Sequence, residues 1–204
     1  MMTKFFALAA LFFATNAFAT PITGSSTYTQ PGTTETVGFE DQATGTFASL
    51  KVGNMTVSGI GGLLRITSDY AGSYNTSGSR LLDNNAGSLA GFRFDFATAV
   101  NAFAFNFGAS DVTWSLKAYN SAGVLLESLA IAPTGSLNTK TYFGLANTGI
   151  SYALLTGSSD WVMVDNVKMS TTAAAVPEPG SLLLLGAGLA GVLLARRRKE
   201  KSAA

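Results

Sequence analysis

The 204-residue sequence contains no cysteine and no histidine. Without cysteine there is no disulfide, no thiol nucleophile and no cysteine-ligated metal, so a folded domain must rest on its apolar core alone. Without histidine the chain lacks the commonest general base, the imidazole of Ser-His-Asp machinery and the usual ligand for zinc or iron. What chemistry remains belongs to carboxylates, lysine, tyrosine or a calcium ion held by oxygen ligands. Charge is also scarce, at 12% of residues. The formal net charge of +1 conceals a split, because Arg196, Arg197, Arg198, Lys199 and Lys201 supply five of the thirteen positive charges. Between Thr20 and Ala175 ten acids face seven bases, which leaves that stretch at −3. A nucleic-acid partner needs a clustered basic face, and none is present.

Apolar residues make up 47% of the chain and glycine contributes 22 residues, a composition that points to an exported, β-rich protein. The length suits one domain with appendages, and no repeat of solenoid period is visible. Residues 1–19 carry one positive charge at Lys4, an apolar stretch from Phe5 to Phe13 and the small-x-small ending Ala17-Phe18-Ala19. That is the layout of a secretory signal peptide, with cleavage after Ala19 and export through the Sec machinery. The apolar stretch is too short to span a bilayer comfortably.

Residues 20–36 read as an irregular, polar lead-in with Pro21 and Pro31. From 37 to 170 apolar residues recur at the strand period. Phe92, Phe94 and Phe96 alternate with Arg93 and Asp95, and Phe103, Phe105 and Phe107 alternate with Ala104 and Asn106, which predicts core faces of two strands. A hairpin is expected where Val112–Tyr119 and Val124–Ile131 flank Asn120-Ser-Ala-Gly123. Further strands are expected at 46–50, 54–60, 63–68, 140–145, 150–156 and 161–169. Many short strands without a competing helical period indicate an all-β, antiparallel two-layer sandwich.

The segments Val37-Gly-Phe-Glu-Asp41, Phe92–Phe103, Leu116–Leu126 and Trp161-Val-Met-Val-Asp-Asn-Val167 resemble the exported jelly-roll domains found ahead of PEP-CTERM tails. Those domains are similar in fold to carbohydrate-binding modules. In jelly-roll binding modules a structural calcium often joins an early acidic loop to the last strand, which makes Glu40, Asp41, Asp165 and Asn166 candidate ligands. The plainer alternative is a turn at Glu40-Asp41 and a strand end or bulge at Asp165-Asn166. Asp83-Asn84-Asn85 reads as a turn. Tyr70 and Tyr74, in the Gly/Ser/Asn-rich stretch 69–79, are candidate glycan contacts, with a loosely packed loop over the sandwich edge as the alternative. Tyr119, Tyr142 and Tyr152 are further surface aromatics. A glycosidase needs two carboxyls across a cleft, and no pairing among the ten acids can be chosen from the sequence. The expectation is therefore a non-enzyme.

After a linker at 171–176 comes the tail at 177–204: the sorting motif Val176, Pro177, Glu178, Pro179, Gly180 and Ser181, which begins on the last linker residue, leads into an apolar run and then the basic stop Arg196, Arg197, Arg198 and Lys199. Leu182 to Ala195 would be about 21 Å long as a helix, short of the ~30 Å hydrocarbon core. Including Gly180 and Ser181 makes a marginal transmembrane helix at about 181–195, with the arginines on the cytoplasmic side. These parts resemble the PEP-CTERM sorting signal of Gram-negative bacteria, also catalogued as an ice-binding-protein C-terminal motif. The resemblance implies a transient inner-membrane anchor, recognition by exosortase, cleavage near Pro-Glu-Pro and transfer to the cell surface or extracellular matrix. An ordinary C-terminal anchor on a proline-containing stalk is the alternative. The expected role is structural or adhesive in biofilm or exopolysaccharide. A calcium-stabilised carbohydrate-binding module is the second reading, and a polysaccharide-active enzyme the third.

Overall fold

A computed structural model describes residues 21–24, 34–158 and 160–171. The expected signal peptide, most of the linker, the sorting motif at 176–181, the helix at 181–195 and the basic stop lie outside the described residues. Among the described residues, regular structure is entirely β, and no helix is long and apolar enough to cross a membrane.

The strands in chain order are β1 (Ile22–Gly24), β2 (Thr34–Val37), β3 (Gly45–Phe47), β4 (Ser49–Val52), β5 (Met55–Ile60), β6 (Leu64–Thr67), β7 (Leu81–Asp83), β8 (Gly91–Gly108), β9 (Trp114–Tyr119), β10 (Leu125–Ile131), β11 (Tyr142–Thr156) and β12 (Met163–Ser170). Their pairings are antiparallel.

Two long strands shape the domain. The first half of β8 pairs with β5 and with the end of β11, from Gly91↔Thr156 to Asp95↔Tyr152. Its second half pairs with the start of β11 and with β12, from Ala102↔Ala146 to Asn106↔Tyr142 on one side and Met163↔Gly108 on the other. Between the halves Ala97, Thr98 and Ala99 are exposed, and the register of β11 shifts between Ala146 and Ile150. Asn54 clamps this corner, since its amide donates to the Thr98 carbonyl at 2.9 Å and accepts from the Thr98 N–H at 2.9 Å. Aromatic contacts show that the strand folds back on itself across the core. Phe94 lies 5.1 Å from Phe103 and 5.8 Å from Phe105, and Phe96 lies 5.0 Å from Phe103. One layer is therefore β4-β5-β8-β11-β9-β10. The other is β1-β11-β8-β12, continued by β2 beside one half of β12 and by β7-β6-β3 beside the other. This is an antiparallel, jelly-roll-like sandwich.

The alternating pattern did its physical work: Phe92, Phe94, Phe103, Phe105, Phe107, Trp114, Leu116 and Ala118 are all fully buried. Each such ring stabilises the fold by about 1.5–3 kcal/mol through burial. In the expected hairpin, Asn120 Oδ1 accepts from the Ala122 and Val124 N–H groups.

Several boundaries differ from the sequence reading, and the strand expected at 46–50 is divided between β3 and β4. The two phenylalanine stripes belong to one bent strand, and 140–145 and 150–156 likewise merge into β11. Small or polar residues at the bends look like strand ends, while the ladder continues through Val100↔Ile150. The lead-in at 20–36 contains the short strands β1 and β2, which lack an alternating apolar pattern of their own. The strand β7 was not expected, and it delivers Asp83 and Asn84 into the interior.

Candidate functional site

Four loops meet at one end of the sandwich and frame a groove of about 350 Å³ lined by Tyr70, Tyr74, Ala109, Asp111, Gly135, Ser136, Asp160, Trp161 and Met163. Its aromatic wall comes from the segment between β6 and β7 and from the residue pair before β12. Tyr70 touches Tyr74 edge-on at 5.6 Å and Trp161 edge-on at 5.2 Å. Tyr70 is 53% exposed, so a large aromatic face is available at the groove.

The segment that carries the tyrosines is tightly held, which excludes the loosely packed reading. Asn75 and Thr76 are fully buried. The Asn75 amide donates to the Phe107 and Thr141 carbonyls at 3.0 and 2.7 Å, and its Oδ1 accepts from the Thr141 N–H at 2.6 Å. The Lys140 ammonium donates to the Thr76 carbonyl. Tyr70, Tyr74 and Asn75 have φ of 59°, 47° and 68°, a region that costs a side-chain-bearing residue free energy and persists only where surroundings impose it. Gly108 makes the close approach feasible: a Cβ there would lie 1.5 Å from the Tyr74 carbonyl oxygen.

Two buried carboxylates fix the ends of this segment. Asp83 takes a bidentate pair from Arg65, with Nε at 3.1 Å and Nη2 at 2.5 Å, and Arg65 also reaches Asp69 at 3.2 Å. The Asp83 carboxylate raises the Arg65 pKa, chiefly through these hydrogen bonds. Asp83 also accepts from Trp161 Nε1 at 2.9 Å, which orients the indole of the groove. Asp165 accepts instead from the Ser77 and Asn166 N–H groups at 2.8 and 2.7 Å. Desolvation raises its pKa to about 6. Glu40 accepts from the Ser79 N–H and hydroxyl, and these bonds, the hydroxyl first, lower its pKa.

The sequence candidates thus fall in two places. Tyr70 and Tyr74 lie in the groove. Glu40 and Asp165 converge on Ser77–Arg80, so the early acidic loop and the last strand do meet, but through the segment between them. Asp165-Asn166 forms a bulge, with a register shift between Asp165 and Lys168 and φ of 48° at Asn166. In this arrangement the carboxylates of Glu40 and Asp165 accept from N–H and O–H groups, Asn166 donates through its amide nitrogen to Ser77 and Asn106, and Asp41 is exposed. Among the described residues no group of three or more acidic side chains is placed to hold a metal. Trp161, Asp111 and Asp160 were not singled out by sequence. Trp161 falls in a run whose pattern predicts a strand, and the two acids are 49 residues apart, joined by the Asp111 N–H donating to Asp160 Oδ2 at 2.7 Å.

A family model described as the PEP-CTERM protein-sorting motif matches residues 175–199. The chain carries a PEP-CTERM sorting tail. That tail marks an exported protein with a C-terminal membrane-anchor segment, and it concerns delivery, not the groove. No curated protein matches the sequence. Among solved structures, a DUF4465 family protein from Bacteroides caccae aligns with TM-score 0.42 at 8% identity, covering 69% of this chain and 100% of its own. A mutant of the family 29 carbohydrate-binding module CBM29-2 aligns with TM-score 0.37 at 12% identity, covering 72% and 99%. A family 6 carbohydrate-binding module aligns with TM-score 0.33 at 20% identity, covering 68% and 94%. Likenesses of this strength carry no argument about what the groove binds.

Proposed function

We propose that this PEP-CTERM protein is sorted by exosortase to the cell surface or extracellular matrix of a Gram-negative bacterium and acts there as an adhesive, polysaccharide-binding module. The observation that supports the binding role is the groove, in which Tyr70, Tyr74 and Trp161 form one aromatic wall and Asp111 and Asp160 supply polar groups. Sugar rings present apolar C–H faces and hydroxyl edges, and such a wall beside carboxylate acceptors matches both. The walls are set before any ligand arrives, which limits the ordering cost of binding. Asp83 orients the indole, Asn75 pins the tyrosine segment, and Ser110 and Thr134 tie the two remaining loops through a 3.1 Å hydroxyl contact. No cofactor or catalytic step is part of this reading.

The test is glycan-array binding by the full chain in mild detergent, followed by Tyr70→Ala and Trp161→Ala. Retained folding with at least about tenfold weaker binding in each variant, roughly 1.4 kcal/mol, is expected. Binding that survives both substitutions, or absence of binding to every glycan, overturns the reading. Release of shorter products from a bound polysaccharide would replace the adhesive role with an enzymatic one. For delivery, replacing Pro177-Glu178-Pro179 by alanines should abolish processing, read as the mass of the cell-surface form.

A further inference from the structure

From the chemistry lining the groove, and resting on the polysaccharide reading above, we infer that its preferred ligand is a cationic glycan, a polymer of amino sugars that carries free ammonium groups. Asp111 and Asp160 are the titratable acids among the lining residues, and no lysine or arginine lines the groove. The Asp111 carboxylate is exposed and has no hydrogen-bond or ion-pair partner among the described residues. Asp160 has one carboxylate oxygen taken by the Asp111 N–H. Both acids therefore retain acceptor positions for a ligand ammonium, which brings several N–H donors and no acceptor.

The aromatic wall favours the same charge. The faces of Tyr and Trp rings carry negative electrostatic potential and attract ammonium groups within about 6 Å of the ring centroid. The protein already uses this preference at the same indole, where Arg65 lies 5.8 Å over the Trp161 ring. Two cations beside the wall and the tyrosine segment are committed elsewhere. Arg65 is paired with Asp83 and Asp69, and Lys140 donates to the Gly72 and Thr76 carbonyls and to Asn138. A uronate or sulfated polymer would meet two carboxylates and no free lining cation, in a domain whose net charge is already −3. Like-charge contact of this kind selects against the wrong ligand.

The experiment compares three oligosaccharide probes of equal length on the full chain in mild detergent: a β-1,4-glucosamine oligomer, its fully N-acetylated form, and a polyuronate oligomer. Calorimetry at pH 6 should show the glucosamine oligomer binding at least about tenfold tighter than the acetylated one, equivalent to 1.4 kcal/mol, with no binding of the uronate. Asp111→Asn and Asp160→Asn should each remove most of this preference, weakening the glucosamine oligomer far more than the acetylated one, with thermal stability unchanged. Asparagine at 160 keeps an oxygen for the Asp111 N–H, so it preserves the link between the loops. Added salt should weaken the glucosamine complex selectively. Equal binding of the free and acetylated oligomers overturns the charge inference and leaves the polysaccharide reading standing. Absence of binding to all three overturns the charge inference and, with a negative glycan array, the polysaccharide reading as well.

Discussion

Asp83 and Asp165 are both essentially removed from solvent, at 0% and 1% exposure, and both connect to the segment that carries Tyr70 and Tyr74, Asp165 directly at Ser77 and Asp83 through Arg65 and Asp69, yet they are stabilised in opposite ways. Asp83 has a guanidinium in bidentate contact together with the Trp161 N–H and the Asn85 N–H. Asp165 has only neutral donors from Ser77 and Asn166, with the negative Glu40 near enough to disfavour its charge. A buried carboxylate with a cation loses heavily if the cation is removed, because the charge left behind is uncompensated. A buried carboxylate without one can escape by taking up a proton. The region around Asp165 should therefore respond to pH.

The largest effect should come from Arg65→Ala. It leaves Asp83 buried and without a cation, and urea unfolding should show a loss of about 3–5 kcal/mol. Because Asp83 orients Trp161, glycan binding should fall at the same time. The double substitution Arg65→Met with Asp83→Leu should recover part of the stability and none of the binding. Recovery of both would break the assigned link between this ion pair and the groove.

The next effect is on Asp165 and has a definite sign. Its folded-state pKa of about 6 lies above the ordinary carboxylate value, so between about pH 4 and 6 the folded state holds more proton than the unfolded one. Stability from this group is present below about pH 4 and is lost as pH rises through 6, by an amount on the order of 2–3 kcal/mol. Asp165→Asn should remove that slope. The stability difference between Asp165→Asn and the natural protein should therefore shift in the variant's favour from pH 4.5 to pH 7, measured by chemical unfolding at each pH. A difference that stays constant with pH would show that Asp165 does not change protonation over this range and would dissolve the contrast.

Glu40 supplies a smaller effect of opposite sign. Its pKa is lowered by the Ser79 hydrogen bonds, so its contribution is present above the ordinary glutamate range and fades as pH falls through its depressed value. The carboxylate is exposed to water, which screens it, and Glu40→Gln should cost less than about 1 kcal/mol at pH 7. A larger loss would mean that Ser77–Arg80 depends more on the early loop than on β12.

The same contrast explains how far the sequence could be read. The phenylalanine stripes of β8 and the Trp114–Ala118 alternation were legible because burial on one face imposes a period of two on the sequence itself. Tyr70 and Tyr74 are legible as rings in a Gly/Ser/Asn-rich stretch, of which Tyr70 is exposed and Tyr74 half-buried. Asp83 was read as part of a turn, since Asp-Asn-Asn is turn chemistry, and nothing local announces that Arg65 lies eighteen residues away to receive it. Trp161 was absorbed into a strand pattern although it precedes β12 and faces the groove. Asp111 and Asp160 are brought together only when the strands between them are paired, a contact that no local pattern records. At Asp165-Asn166 the residue types themselves predict a strand end or bulge. What the sequence could not show was that Ser77, 88 residues away, is its partner.

The smallest effect distinguishes a calcium-bound end from a hydrogen-bonded one, and the expected value is zero. A calcium ion needs six to eight oxygen ligands with lone pairs directed at it. At the Asp165 end those lone pairs are directed at the Ser77 and Asn166 N–H groups, and at Glu40 they are directed at the Ser79 N–H and hydroxyl. N–H groups pointing toward the same oxygens would repel a cation placed among them, so binding would require the tyrosine segment to rearrange. A ligand that binds the folded state alone raises stability with its concentration, by about 2.7 kcal/mol at one hundred times its dissociation constant. The melting temperature should therefore be the same in excess chelator and in millimolar calcium. A calcium-dependent rise that disappears in Asp165→Asn would restore the metal at this end, and would make Asp165 a carboxylate stabilised by a cation after all, as Asp83 is.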